Sequence, residues 1–275
     1  MAQVNTSTGT YLSSLFNPQV VADLIDTKLT DNMVFAPLAK IDYTLQGRAG
    51  NTVTLPYYSY IGAASTVSEG YDIPIKKLTQ STSSVTIVKY GNAVQITDEA
   101  VLSGYGNPIG EAAMQIATSI DDAMDNALLA ALAANSASDQ NYTASAALAP
   151  EDIPLALAKY GEDNDGEKAL LVTPDFYAQL IGKNWIPASE IAANVRVRGA
   201  VGMAYGCQVI VTNRLKTDGN LYIVKPNTLA VFIKRGSMVE TDRDILNQST
   251  VLAGSILCAP YLLNPKGMIK LTAGA

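Results

Sequence analysis

Residues 108–135 read PIGEAAMQIATSIDDAMDNALLAALAAN, and this stretch decides the fold. Apolar side chains recur at Ile109, Ala112, Ala113, Ile116, Ile120, Ala123, Met124, Ala127, Leu128, Ala131 and Leu132. Intervals of three and four gather them on one side of a helix. Pro108 suits a first helical turn, where its missing N–H is not needed, and Glu111 puts negative charge near the helix N-terminus. Gly110 is confined to the first turn and no later proline follows. The spacing therefore predicts one helix from Pro108 to Asn135, roughly 42 Å long at 1.5 Å per residue. Such a helix is either the diagonal of a bundle or a spine on which sheets hang, and the flanking sequence decides which.

Charge is distributed unevenly around it. From Tyr90 to Ala158 there is no lysine or arginine, whereas nine acids lie there, among them Glu111, Asp121, Asp122 and Asp125. The whole chain has 25 acids and 19 bases, which leaves 16 acids (25 − 9) against 19 bases elsewhere, a net +3. An acidic middle and mildly basic ends suit copies that meet ends against middles. A solvated helix face is the simpler reading, because exposed pairs are screened.

Composition excludes several classes. With 275 residues and 48% hydrophobic content, the chain can bury a sizeable core. No basic residue precedes Lys28 and no apolar leader follows the start, so no secretion signal is expected. The longest uncharged apolar run, Ser249 to Pro265, is interrupted by serines and Pro260, and no membrane span is expected. Cys207 and Cys258 sit in apolar surroundings and read as two buried thiols of a reducing cytoplasm, not as a disulfide or metal site. A net charge of −6 argues against a protein that grips nucleic acid by neutralising many phosphates.

Before the spine, residues 1 to about 45 form an arm with a possible short helix from Pro18 to Leu29. From Gly50 the period changes to two: Val53, Leu55 and Tyr57, then Val85 and Ile87, alternate with polar residues as in strands. Gly62 to Gly70 is a tip of small residues followed by Tyr71, Asp72, Ile73, Pro74, Ile75, Lys76 and Lys77. The segment from Gly50 to Tyr90 thus predicts a long two-stranded ribbon. A lone ribbon is marginal in water, so it should lie on its own body or on the next copy, and its thin apolar content favours the copy. Gly91 to Thr97 continues extended, and Asp98 to Leu102 reads as a short helix. After the spine, Pro150 begins a helix to Tyr160. Ala169 to Val172 is a buried strand, Thr173-Pro174-Asp175 starts another helix, and Cys207 to Val211, Leu221 to Val224 and Thr228 to Ile233 are strands. The last part, Met238 to Leu271, returns to long strands that could pack beside the spine.

The chain has no histidine, which removes histidine-based triads, histidine-bearing metal sites and the commonest general acid and base. Gly182-Lys183-Asn184 lacks the upstream glycine and hydroxyl of a phosphate loop, and Gly199, Gly202 and Gly206 have the wrong spacing for a dinucleotide turn. Asp121-Asp122-Ala123-Met124-Asp125 resembles the aspartate-rich motif with which isoprenoid-diphosphate synthases hold magnesium and diphosphate. Those enzymes are all-helical and need a second such cluster, which this strand-rich chain lacks. The aspartates read better as a polar face that meets water or basic side chains. Tyr57, Tyr58 and Tyr60 have no basic stripe around them to suit single-stranded nucleic acid, and Arg196 and Arg198 are the one close arginine pair.

Taken in order, these parts resemble a known family. The arm, the ribbon, Gly91-Asn-Ala-Val-Gln-Ile-Thr-Asp-Glu-Ala, the Gly106-Asn-Pro-Ile-Gly-Glu-Ala-Ala start of the spine and Leu171-Val-Thr-Pro-Asp-Phe-Tyr look like the major capsid protein of a tailed bacteriophage. Val239-Glu-Thr-Asp-Arg-Asp, the long strand after it, Asn264-Pro-Lys and Met268-Ile-Lys-Leu extend the resemblance over nearly the whole chain. It implies an α+β, Hong Kong 97 (HK-97)-like phage capsid fold: an N-terminal arm (1–45), an extended loop (46–90), a peripheral domain with the spine helix (91–149), an axial domain (150–235) and C-terminal strands returning to the peripheral domain (236–275).

The resemblance also implies a non-enzymatic coat with no cofactor, assembling with itself as hexamers and pentamers around double-stranded DNA without sequence-specific binding. The coat would be made in the bacterial host cytoplasm and reside in the virion. Only about 45 residues precede the ribbon, so a separate scaffolding protein is expected, with a portal and a decoration protein as further candidate partners. Candidate subunit-interface residues are Glu69, Lys76 and Lys77 on the ribbon tip, Asp121 and Asp125 on the spine, and Arg196 and Arg198. Lys76, Lys77 and Lys89 are available for the loop crosslink some relatives make, without a residue match for that reaction. Encapsulin, a nanocompartment shell of the same fold, is the main alternative, with the magnesium-dependent diphosphate enzyme using Asp121, Asp122 and Asp125 behind it.

Overall fold

A computed structural model of the protein describes residues 34–47, 50–58, 60–103, 108–135, 138–182, 200–216 and 219–274. The expected helix at Pro18 to Leu29 lies outside them. A short helix, α1 (Asp98–Ser103), precedes the 26-residue spine, α2 (Pro108–Ala133). On α2 the buried positions Ala112, Ala113, Ile116, Ala117, Ile120, Met124, Leu128, Leu129 and Leu132 keep the spacing seen in the sequence. They face a four-stranded sheet of order β1-β10-β11-β4, made of β1 (Ala39–Asp42), β10 (Leu229–Asp244), β11 (Ser249–Leu262) and β4 (Val88–Thr97). Val231, Val239, Leu252, Ile256 and Cys258 meet the helix in one cluster. Close approach depends on missing side chains: a Cβ on Gly254 would stand 2.5 Å from Ile116 Cγ2, and one on Gly91 would stand 2.8 Å from the Gly254 carbonyl oxygen.

The opposite face of this sheet carries the ribbon. Strands β2 (Thr52–Tyr58) and β3 (Gln80–Thr86) pair antiparallel, with Val53 opposite Val85 and Leu55 opposite Ser83. Val53, Leu55, Val85 and Ile87 pack with Ala230, Phe232, Ala259 and Tyr261. Tyr261 shares a 2.6 Å hydrogen bond with Ser83, and Lys234 Nζ donates to Asn51 Oδ1 at 3.0 Å and to the Gly50 carbonyl. The ribbon root therefore lies on its own body, where the sequence favoured a neighbour for the whole ribbon. Pairing ends at Thr86, because Val88 onward joins the main sheet opposite Cys258. Strand β4 thus crosses residue 90, where the loop and the next domain were divided. Residues 60–79 carry neither helix nor strand.

A second sheet of six strands has the order β5-β12-β9-β6-β8-β7. Its members are β5 (Asn141–Thr143), β12 (Met268–Thr272), β9 (Leu221–Val224), β6 (Ala169–Val172), β8 (Cys207–Val211) and β7 (Ala200–Ala204). Strands β6 and β9 are buried throughout, as continuous apolar runs require when both faces are covered. Alternation splits them: Ala169, Leu171, Tyr222 and Val224 join the spine cluster, while Leu170, Val172, Leu221 and Ile223 pack with α3 (Asp152–Leu157) and α4 (Pro174–Gly182). The spine helix is thereby a shared wall between the two sheets. Both cysteines are buried free thiols, which burial pushes up to about 11 at Cys207 and about 12 at Cys258.

Two boundaries differ from the sequence reading. Leu229 to Arg235, grouped with the middle of the chain, runs in the four-stranded sheet as the start of the 16-residue β10. Lys234-Arg235-Gly236-Ser237 resembles a turn but is absorbed by register shifts between Ile233 and Met238, so the strand bends without ending. Met268 to Thr272, grouped with the final long strands, instead completes the six-stranded sheet.

Candidate functional site

The aspartate cluster on α2 does not present one polar face to solvent. Asp121 and Asp125 are buried, and Asp122 is exposed. Asp125 Oδ2 accepts from the Val34 N–H at 3.0 Å and Oδ1 from the Phe35 N–H at 3.3 Å. Arg214, from the 3-10 turn Asn213–Lys216 after β8, pairs with Asp122 and reaches Asp125 Oδ2 at 3.4 Å. Burial raises the Asp125 carboxyl above the usual carboxylate range, and the Val34 N–H and the Arg214 charge oppose that rise. The cluster joins the start of the described chain, the spine and the second sheet. The assignment of Asp121 and Asp125 to a subunit interface is corrected here: both carboxylates are enclosed by their own chain and offer a neighbour no surface. Arg214 sets its positive charge between Asp122 and Asp125, where a magnesium ion bridging the cluster would have to sit. Among the described residues no group of three acidic, cysteine or histidine side chains is placed to hold a metal.

The other candidates divide differently. Glu69, Lys76 and Lys77 are all exposed on the ribbon tip, and Lys76 Nζ donates to the Ala63 carbonyl at 3.1 Å across it. Gly62 and Gly70 have φ of +86° and +85°, left-handed turns that suit glycine there. Tyr60 ahead of them and Tyr71, Ile73 and Leu78 after them are exposed, and Ile75 is 100% exposed. Arg196 and Arg198 lie outside the described residues.

A second exposed apolar group escaped the sequence reading. The turn between β10 and β11 presents Ile245 and Leu246, the latter 95% exposed, and Leu102 on α1 is also exposed. The Asp98 N–H donates to the Gln248 carbonyl at 2.9 Å, and Arg243 pairs with Asp98 at 2.8 Å, so α1 and this turn share one end of the sheet. Backbone and side-chain donors of Asn247 hold the Asp244 carboxyl below the usual range and pin the turn. The only sequence signal was Asp242-Arg243-Asp244 ahead of two bulky aliphatics, which reads equally well as the edge of a core.

Comparison with known proteins bears on the chain as a whole. A family model described as phage capsid protein matches residues 80–271. The major capsid protein of Staphylococcus phage phiMR11 is 30% identical over 270 residues, covering 97% of this chain and 96% of its own. Among solved structures, the Cyanophage P-SCSP1u capsid matches at TM-score 0.68 and 15% identity over 88% of each chain. The Cyanophage Pam1 capsid matches at TM-score 0.67 and 12% identity, over 100% of this chain and 98% of that one. The chain belongs to the phage capsid protein family: it is a structural major capsid protein, not an enzyme, and its α+β fold is of the Hong Kong 97 type.

Proposed function

We infer that copies of this chain assemble through hexamers and pentamers into a closed icosahedral or prolate shell around double-stranded DNA. One observation carries the reading: the ribbon root is anchored on its own sheet while its tip holds Tyr71, Ile73 and Ile75 in water. A monomer rarely exposes such a run unless another surface covers it. In this reading the ribbon is the extended loop, the spine and four-stranded sheet are the peripheral domain, and the six-stranded sheet is the axial domain. Helix α2 and its flanks from Tyr90 to Ala158 contain no base, so a wall lined by them would not glue DNA in place during packaging. A separate scaffolding protein and a portal complete the assembly.

The test is size. Expressed alone, or with the scaffolding protein of its own phage, the chain should sediment as closed shells or as rings of five and six visible by negative-stain electron microscopy. Removal of residues 62–75 should leave a folded subunit that no longer assembles. Normal shells from that deletion would overturn the role given to the ribbon tip.

A further inference from the structure

The loop between the 3-10 turn Ala158–Tyr160 and β6 reads Gly161-Glu-Asp-Asn-Asp-Gly-Glu167. It holds the pair Asp165-Gly166, an aspartate followed by the one residue type whose N–H no side chain shields. The chain has one other such pair, Asp218-Gly219, whose aspartate lies outside the described residues. Asp165 and Gly166 are both exposed and belong to no helix or strand. Asp163, two residues earlier, is paired with Lys225 at 2.9 Å. By contrast, neither the Asp165 carboxyl nor the Gly166 N–H has a partner among the described residues. Gly166 has φ of +89°, and no atom lies within 4 Å of where its Cβ would stand, so the backbone has room to turn. The loop is pinned from below by Lys168, which is buried and donates from Nζ to the carbonyls of Asn164 and Gly166, one on each side of Asp165. A buried ammonium depends on such acceptors.

We propose that Asp165 is a modification site, converting spontaneously to isoaspartate through a cyclic imide with Gly166, and that the longer backbone loosens the Lys168 clamp on this loop. The Gly166 nitrogen attacks Cγ of Asp165, and the new C–N bond closes a five-membered ring, a reaction favoured because both groups belong to adjacent residues. The carboxyl C–OH bond breaks, and hydroxyl and amide proton leave together as water. A second water then opens the imide. At the Cγ carbonyl it restores aspartate; at the main-chain carbonyl it leaves the chain running through Cβ, one atom longer, with a free α-carboxylate. The water lost on closure is regained on opening, so mass is unchanged and no oxidant or cofactor takes part. The added atom falls between the two carbonyls that Lys168 bridges and changes their spacing.

The test ages the purified full-length chain in warm neutral buffer and then analyses the tryptic peptide Tyr160–Lys168. Electron-based fragmentation cleaves the main-chain Cα–Cβ bond that only an isoaspartyl residue has. The expected result is a second chromatographic peak of unchanged mass that grows with time and carries the isoaspartyl fragments at position 165. Asp165→Glu keeps the charge but would need a six-membered imide, and it should lose the second peak. Asp165→Asn should gain isoaspartate faster, since an amide expels ammonia more readily than a carboxyl expels water. Hydrogen exchange across residues 161–167 should rise with the modified fraction while β9 stays protected. Isoaspartate at 165 in the chain unfolded in urea but not in the folded chain would show that the Lys168 clamp keeps the ring from closing, and would overturn the proposal. Isoaspartate confined to position 218 would overturn it too, and modification at 165 without faster exchange would overturn the loosened clamp.

Discussion

The spine helix and the ribbon tip use the same kinds of side chain to opposite ends. On α2, Ile116, Ile120, Leu128 and Leu132 are enclosed by both sheets, whereas on the tip Ile73 and Ile75 meet water. Burying such a side chain contributes about 1.5–3 kcal/mol to whatever structure encloses it. The spine residues stabilise the subunit itself, whereas the tip residues contribute only where a second surface covers them. On the function proposed above, stability of the subunit rests on α2 and stability of the assembly on a ribbon whose root is fixed and whose end is bare.

That separation can be broken most severely at Leu128, fully buried on α2. Leu128→Ala should cost about 3 kcal/mol of subunit stability, whereas Ile75→Ala should change it by less than about 0.5 kcal/mol and show its effect only in particle yield; denaturant unfolding of the soluble subunit separates the two. A comparable loss at both positions would mean the tip is packed on its own chain.

Next comes Gly254, where added volume rather than lost volume is the stress. Gly254→Ala should cost roughly 1–3 kcal/mol, since its Cβ would intrude on Ile116 Cγ2, and pairing it with Ile116→Ala, which removes that methyl, should cost less than the two single changes together. Additive behaviour in the double variant would show that the helix does not rest on this glycine.

The pH-dependent part of the Asp125 effect, the smallest, sharpens the comparison at the junction. Asp125→Ala leaves the Val34 and Phe35 N–H groups without their acceptor and should cost about 1–3 kcal/mol, and Asp125→Asn should cost less because it keeps the shape and one acceptor oxygen. The folded-state pKa of Asp125 is raised, chiefly by burial, so the native chain binds this proton at higher pH than the unfolded chain. Stability from this group therefore increases as pH falls from the raised value toward the ordinary carboxylate value, the reverse of a carboxylate held low by its partners. Parallel unfolding curves should show the native sequence gaining on Asp125→Asn across that window, and a widening deficit would reverse the sign assigned to its burial.

Much of the architecture was legible because its causes are local. The spine ends within two residues of its expected limit, and Ala169–Val172, Cys207–Val211 and Leu221–Val224 are strands over the residues their patterns indicated. The family resemblance, carried by the order of weak motifs, was legible too. Asp125 was not: its carboxylate reads as polar surface until Val34 and Phe35, some 90 residues earlier, bring their N–H groups to it. Ile245 and Leu246 were not either, because the pattern of an aliphatic pair in a turn does not tell enclosure from exposure. Likewise Lys234 to Ser237 looked like the end of a strand, and only pairing with β11 carries the backbone through the bulge.

By itself, the sequence determined the elements and their kinds: a spine helix from three- and four-residue apolar spacing, strands from alternation, and a chemistry without histidine or phosphate loop. Periodicity within a few turns or strand residues suffices for these, because each depends on neighbours in the chain. Tertiary structure alone decided that Met268 to Thr272 completes the six-stranded sheet, that Asp121 and Asp125 lie inside while Asp122 meets Arg214, and that the ribbon is anchored at its root and bare at its tip. Each of those outcomes depends on groups far apart in sequence, whose packing sets which polar atoms lose water and which apolar surfaces keep it.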